Sequence, residues 1–252
     1  MARERGSRHT PKPEGGGFWL YGLHAVRAAL ANPRRVVRRA VVTERAAEEL
    51  RPSLSRLRPE IYAPDAMARL LPQGAVHQGA ALLCEPLPAI DLDDALAGAK
   101  AGARIVAVLD QVTDPHNEGA ILRSAAAFGV AAVVVQDRHA PPESGALAKA
   151  ASGALDIVPR VAVVNIARAL EELGALDFWR IALASDGEAE LSQAAPPGDV
   201  ALALGAEGTG LRRLVRERCD AAAFIPMTGA MDSLNVSNAA AIAFYELRRK
   251  AK

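Results

Sequence analysis

The chain has 252 residues, half of them hydrophobic, with 30 Lys and Arg against 29 Asp and Glu and only two cysteines. That is enough to bury one large core or two modest ones, and it argues against a disordered protein. No apolar run approaches the roughly 18–20 residues of a membrane-spanning helix. The N-terminus is charged rather than signal-like, and Cys84 and Cys219 stand far apart with no His or Cys at metal-ligand spacing. A cytoplasmic protein with no membrane segment, no disulfide framework and no metal is expected, its cysteines ordinary core thiols.

In chain order, residues 1–17 are polar, basic and Gly/Pro-containing without periodicity, which predicts a disordered basic tail. Structure is expected from Phe18. The spacing predicts a helix over 22–31, a strand over 36–43, a helix over 44–57 and a strand over 77–84. These make a small α/β unit, 18–85. Residues 86–102, with Pro86, Pro88 and many small residues, read as a linker holding at most one short helix. From residue 103 the pattern changes to apolar strands alternating with amphipathic helices. Strands are predicted at 105–109, 131–135, 156–164, 178–184, 200–204 and 222–225, and helices at 119–128, 147–152, 166–173, 211–218 and 238–249. Continuous apolar strands separated by helices predict an α/β fold with a mostly parallel sheet covered on both faces.

The near-zero net charge hides an asymmetry. Residues 1–58 carry 13 Lys and Arg against 5 Glu and no Asp, a balance of +8, leaving 17 basic and 24 acidic residues for the remainder. A cationic first segment suits a polyanion partner such as RNA, although an arginine-rich solvated surface has the same composition.

Three loops at the carboxyl ends of predicted strands hold residues that connectors do not need, and ligands of open α/β sheets bind at those ends. The run Ile225-Pro226-Met227-Thr228-Gly229 through Ser233-Leu234-Asn235-Val236-Ser237-Asn238 carries more hydrogen-bonding capacity than a strand-to-helix turn requires. Ser237 or Asn238 would suffice as N-cap, so Ser233 and Asn235 call for another role. The run Gly205-Ala206-Glu207-Gly208-Thr209-Gly210 is Gly-rich but matches neither the dinucleotide fingerprint nor a P-loop. Its Glu207 would repel a phosphate and favours a cationic or hydrogen-bond-donating ligand. In the run Asp110 to Ser124, Asn117 stands where a helix N-cap is expected. Arg123 lies among Leu122 and Ala125–Ala127, where a structural and a functional arginine are equally open.

The ordered set Asn117-Glu118-Gly119 with Arg123, Gly205-Ala206-Glu207-Gly208, Ile225-Pro226-Met227 and Ser233-Leu234-Asn235-Val236-Ser237 resembles the three motifs of the SpoU branch of the SPOUT RNA methyltransferases, over residues 104–249. Tyr21-Gly22-Leu23-His24-Ala25-Val26 and Val76-His77-Gln78-Gly79 resemble the N-terminal RNA-binding domain of the members of that branch that act on a guanosine of 23S rRNA. Asp114-Pro115-His116-Asn117 fits the same subgroup.

The resemblance implies S-adenosyl-L-methionine as cofactor, methyl transfer to a ribose 2′-hydroxyl, a homodimer, a deep trefoil knot in residues 103–252 and an L30e-like fold for residues 18–85. It assigns Gly205, Ile225, Met227 and Leu234 to the cofactor, and Arg123, Asn117, Glu207, Ser233 and Asn235 to the catalytic site. A guanidinium is protonated at any working pH, so Arg123 as a general base meets a physical objection. Sharing a proton in the transition state, or stabilising developing oxyanion charge, are the two ways out.

Met231-Asp232 departs from the small neutral residues usual in the 23S rRNA group, which keeps a tRNA 2′-O-methyltransferase open. The full-length N-terminal domain argues for rRNA. A noncatalytic RNA-binding or ribosome-assembly protein is a further alternative, opposed by the intact motif residues. A nicotinamide-dependent oxidoreductase is disfavoured because no Gly-rich turn follows Leu109. His24, His77 and His116 have no partner carboxylate in sequence and read as structural or RNA-contacting.

Overall fold

The computed structural model describes residues 17–55, 57–99, 102–229 and 232–250. The predicted tail therefore lies outside the described residues, except for Gly17, as do Ala230 and Met231. The chain separates into two compact units, one ending at Leu87 and joined by residues 143–145, the other formed by 88–142 and 146–252.

The first unit is a mixed four-stranded sheet, β1 (Phe18–Tyr21), β4 (Ala80–Cys84), β2 (Val37–Val42) and β3 (Glu60–Ile61), in that spatial order. β4 runs antiparallel to both β1 and β2, and β3 is parallel to β2. Helices α1 (Leu23–Ala31), α2 (Glu44–Glu49) and α3 (Pro64–Ala68) complete it. Leu20, Val41, Val42, Leu50, Met67 and Leu82 are fully buried, each Leu or Val contributing about 1.5–3 kcal/mol by leaving water. The helix predicted over 44–57 ends at Glu49, because Pro52 bars helical geometry at Arg51 and leaves a series of turns. Neither β1 nor the two-residue β3 was legible as a strand, since both are too short to show a period.

The second unit is a seven-stranded sheet whose pairs are all parallel, in the order β7 (Arg160–Val163), β6 (Ala132–Gln136), β5 (Ile105–Asp110), β10 (Val200–Gly205), β8 (Trp179–Leu183), β11 (Ala221–Phe224), β9 (Ala189–Glu190). All six residues of β5 are buried, as are the first five of β10, which is why these strands read as unbroken apolar runs. β10 enters between β5 and β8 and β11 then enters between β8 and β9, so the last two strands of the chain are both interior to the sheet.

The helices of this unit are α4 (Leu92–Ala97), α5 (Pro115–Phe128), α6 (Gly145–Ala151), α7 (Ile166–Ala175), α8 (Leu191–Ala194), α9 (Arg213–Arg216) and α10 (Val236–Lys250). Leu92, Ala95 and Leu96 of α4 belong to the core formed by Val106, Val134 and Ile166, so this part of the expected linker is packed structure. The strand expected over 156–164 is confined to Arg160–Val163. A 3-10 turn over Ala154–Asp156 precedes it, entered through Gly153 in the left-handed region. α9 is likewise shorter than the predicted helix over 211–218.

α5 begins with Asp114 as N-cap, its carboxylate accepting from the His116 amide at 2.9 Å, and with Pro115 at the first helical position. Asn117 is therefore inside the first turn and is not the cap. The helix ends at Gly129, φ 65°, with the Val130 amide donating to the Ala125 carbonyl. Arg248 of α10 donates to the carbonyls of Phe128 at 2.7 Å, Gly129 at 2.6 Å and Ala103 at 3.2 Å, clamping the closing helix over this end of α5. Ala240, Ala243, Phe244 and Leu247 bury the inner face of α10.

Candidate active site

The residues of the Asn117-Glu118-Gly119 run divide three tasks. The Asn117 side chain faces the loop after β10, where its Nδ2 donates to Glu207 Oε1 at 3.1 Å. Glu118 is fully buried and its carboxylate accepts from Arg160 Nε at 2.5 Å. Arg160 also donates to the Pro141 carbonyl at 3.0 Å, which ties the loop after β6 to the first turn of α5. Gly119 has no room for a side chain: a Cβ would lie 2.5 Å from that of Ala150 and 2.9 Å from the Leu147 carbonyl oxygen, so its absence lets α6 pack against α5.

The loop after β10 folds back tightly. Gly210 N–H donates to the Ala206 carbonyl at 2.9 Å, and Gly208 and Gly210 have φ of 80° and 67°. A Cβ on Gly205 would overlap the backbone of Gly210 and Leu211. This requirement is close approach rather than unusual φ. The loop is anchored by Asp110, the last residue of β5 and fully buried. Its carboxylate accepts from the Arg212 amide at 2.8 Å and from Arg212 Nε at 2.8 Å, while Arg212 also reaches Gln136 at 3.0 Å. This pair, buried on the carboxylate side only and spanning 102 positions, is not signalled by the local sequence of either partner beyond the carboxylate at the end of a buried strand.

The third loop closes the triangle. Asn235 is the N-cap of α10: its Oδ1 accepts from the Ser237 amide at 2.9 Å and from the Ser237 hydroxyl at 2.6 Å. The expectation that Ser237 or Asn238 would cap, leaving Asn235 free, is corrected. One residue performs both tasks, because its Nδ2 also donates to Asn117 Oδ1 at 3.0 Å and to Glu207 Oε1.

The loops after β10 and β11 enclose a cavity of about 560 Å³, lined by Gly205, Glu207, Ile225, Met227, Ser233, Leu234 and Asn235 among others, within the usual range for a small-molecule site; Asn117 stands behind it, holding Glu207 and Asn235. Leu183 and Leu204 add apolar wall, and Ser185, after β8, adds a hydroxyl from a loop that sequence reasoning did not single out. The charged side chains among its described lining residues, Glu207 and Asp232, are both acidic. A donor-bearing or cationic ligand suits such a wall, and an apolar ring system suits Leu183, Ile225 and Met227.

Arg123 is the expected site residue that does not join this group. Six residues of α-helix place it about 120° around the axis from Asn117. It is exposed between the buried Leu122 and Ala125, and its side chain makes no ion pair or hydrogen bond among the described residues. Of the histidines His24, His77 and His116, His77 accepts from the Gly79 amide through Nδ1 at 3.1 Å, while His24 and His116 are exposed. Burial pushes the Cys219 thiol up to about 12, and Cys84 is buried. Among the described residues no group of His, Cys, Asp and Glu has the arrangement of a metal site, and no helix is long and apolar enough to cross a membrane.

A parallel sheet with its Gly-rich and Asn/Ser-rich loops gathered over the carboxyl ends of β10 and β11 defines a small-molecule-binding α/β enzyme class, and the chain belongs to the SpoU rRNA methylase family. That family's profile matches residues 104–245, and a profile described as RNA 2′-O ribose methyltransferase substrate binding matches residues 19–89. The 23S rRNA (guanosine-2′-O-)-methyltransferase RlmB of Vibrio vulnificus (strain CMCP6) is 40% identical over 240 residues, covering 92% of this chain and 96% of that protein. The protein of the same name from Xylella fastidiosa (strain Temecula1 / ATCC 700964) is 39% identical over 240 residues, with the same coverage of each. Among solved structures, the SpoU methyltransferase AviRb from Streptomyces viridochromogenes in complex with AdoMet matches with a TM-score of 0.77 and 26% identity, over 93% of this chain and 90% of that one.

Proposed function

We propose that this protein transfers the methyl group of S-adenosyl-L-methionine to the 2′-hydroxyl of a ribose in RNA, with a guanosine of 23S rRNA as the substrate. The observation that carries the reading is a cavity between the loops after β10 and β11, two of whose lining residues, Glu207 and Asn235, are held by Asn117 in a closed hydrogen-bonded triangle. The names of the relatives support the choice of rRNA.

The residues fit the cofactor on two counts: the cavity size and the acidic wall. When bound, the sulfonium supplies an electrophilic methyl group. Glu207 and Asp232 favour that positive charge, and Leu183, Ile225, Met227 and Leu234 hold the adenosine and methionine portions beside Gly205. Asn117 and Asn235 hold Glu207 in place, and Ser233 orients the reacting groups. In-line placement of the hydroxyl then supplies much of the rate acceleration.

The Arg123 guanidinium stabilises the developing negative charge on the ribose oxygen. It does not line its own chain's cavity, so the reading includes a homodimer in which α5 of one copy serves the site of the other. It also includes an L30e-like RNA-binding role for residues 18–85, catalysis by 103–252, a trefoil knot made as β10 and β11 re-enter the sheet, and a cytoplasmic location.

The test is tritiated methyl transfer to unmodified 23S rRNA and, in parallel, to tRNA, with nuclease mapping of the product. Label at a ribosomal guanosine 2′-O position supports the reading. Label only in tRNA keeps the chemistry and overturns the substrate. Label in neither, with no cofactor binding by calorimetry, refutes it in favour of a noncatalytic RNA binder.

A further inference from the structure

The first unit holds a second cavity, of about 390 Å³, between the start of α1, the start of α2 and the turn at residues 77–79. We propose that it is a subsite for one unstacked nucleotide of the RNA substrate, with Arg45 on its phosphate. The inference rests on the RNA-methyltransferase reading and adds to it where the substrate strand is gripped.

The backbone around this cavity is held in a form that connection alone does not require. Gly22 and Gly79 have φ of 99° and 79°, and Gln78, which bears a side chain, has φ 53°. A non-glycine residue in this region marks a conformation that its surroundings impose. Gln78 Oε1 accepts from the Leu23 amide at 3.3 Å, which links the turn to the first helix. The Gly79 carbonyl accepts from the Thr43 amide at 2.8 Å, which links it to the second. At Gly79 a Cβ would lie 2.5 Å from Thr43 Oγ1, so the turn is pressed onto the cap of α2. Three elements are thereby locked around an open space.

The polar groups facing that space suit a nucleotide. His77 accepts from the Gly79 amide through Nδ1, so the neutral ring carries its proton on Nε2 as a donor. Nε2 has no partner among the described residues. Arg45 is exposed on the cavity wall and makes no ion pair among the described residues. The one carboxylate lining the cavity, Glu49, is already engaged by Arg27 at 3.0 Å, so it does not neutralise Arg45. Leu23 and Pro64 supply apolar surface for a base face. A space of this size with a free guanidinium, a ring donor and no aromatic platform fits one splayed-out nucleotide read on its edges, the form in which single-stranded RNA presents itself.

The experiment uses the full-length protein and a 23S rRNA fragment that the wild type methylates. RNA affinity is measured by filter binding across a salt series, and S-adenosyl-L-methionine affinity by calorimetry. Arg45→Glu is compared with Arg51→Glu, a same-charge change on an arginine 77% exposed and outside the cavity. Arg45→Glu is expected to weaken RNA binding at least tenfold and at least fivefold more than Arg51→Glu. It should lower the salt slope by about one and leave cofactor affinity unchanged. A smaller difference between the two variants overturns the subsite, because net charge alone would explain it. His77→Ala, which removes the ring donor, is expected to lose threefold or more in RNA affinity, and no loss would remove the base-edge role. If the wild type itself neither binds cofactor nor methylates RNA, the enzymatic reading fails first, and the two failures are distinguishable.

Discussion

Replacing Arg160 by Met should cost about 3–5 kcal/mol of folding stability, the range found when one member of a buried ion pair is removed. The magnitude follows from the surroundings of Glu118. Its side chain has no exposure and that of Arg160 has 15%. The Arg160 guanidinium meets both carboxylate oxygens, through Nε at 2.5 Å and through one terminal nitrogen at 3.4 Å, and holds the Pro141 carbonyl at 3.0 Å. Met fills much of the same volume but leaves the carboxylate buried without this counter-charge and leaves the Pro141 carbonyl without this donor. The double change Glu118→Leu/Arg160→Leu removes both charges and should fall within about 1 kcal/mol of wild type, since apolar replacement of a buried pair is often neutral or better. Urea unfolding at one fixed protein concentration measures both variants, the concentration being held because self-association would add to apparent stability. A loss below 1 kcal/mol for Arg160→Met, or a double variant as unstable as the single one, would refute the reasoning. Because Glu118 adjoins Asn117, the single variant should also weaken cofactor binding more than the double one does.

Gly205→Ala should cost about 1–3 kcal/mol through overpacking against Gly210 and Leu211, and should reduce S-adenosyl-L-methionine affinity at least tenfold by calorimetry; unchanged affinity would contradict the close-approach argument. Asn235→Ala should lose about 0.5–2 kcal/mol as a cap deletion together with cofactor affinity, whereas Asn235→Asp keeps the cap acceptor, loses the donor to Glu207 and should lose affinity with less effect on α10, as circular dichroism and calorimetry would separate. Arg180 holds the Asp220 carboxyl below the usual carboxylate range, and Arg216 and Arg39 do the same for Asp186 and Glu60. Their folded values are depressed, so this stabilisation is present above about pH 4 and is lost as pH falls through the folded values; a thermal midpoint that stays level on acidification would count against it. The Cys219 thiol, pushed up to about 12 by burial, should remain unmodified by thiol reagents at pH 8 in the native protein and react on unfolding; equal reactivity in both states would mean that it is not protected.

Much of the second unit was legible because a parallel sheet buried on both faces must be written as apolar runs, and Ile105–Leu109 and Val200–Leu204 are such runs. The site loops were legible for a complementary reason: Gly205, Glu207, Ser233 and Asn235 are poor choices for a plain connector. Short elements escaped. β3 and β9 have two residues each, and α8 has four, too few to show a period. Arg123 shared a motif with Asn117 yet lies on another face of α5, a difference that helical geometry could have revealed at six residues' spacing.

The chain by itself determined where strands, helices and binding loops fall, since burial, periodicity and side-chain chemistry are local properties. Tertiary structure alone decided that β10 lies between β5 and β8. It also decided that Asp110 holds Arg212 and that Asn117, Glu207 and Asn235 become one hydrogen-bonded group. Those partners are brought together by sheet order, which sets distances between residues about 30 to 120 positions apart and leaves no periodic trace along the chain.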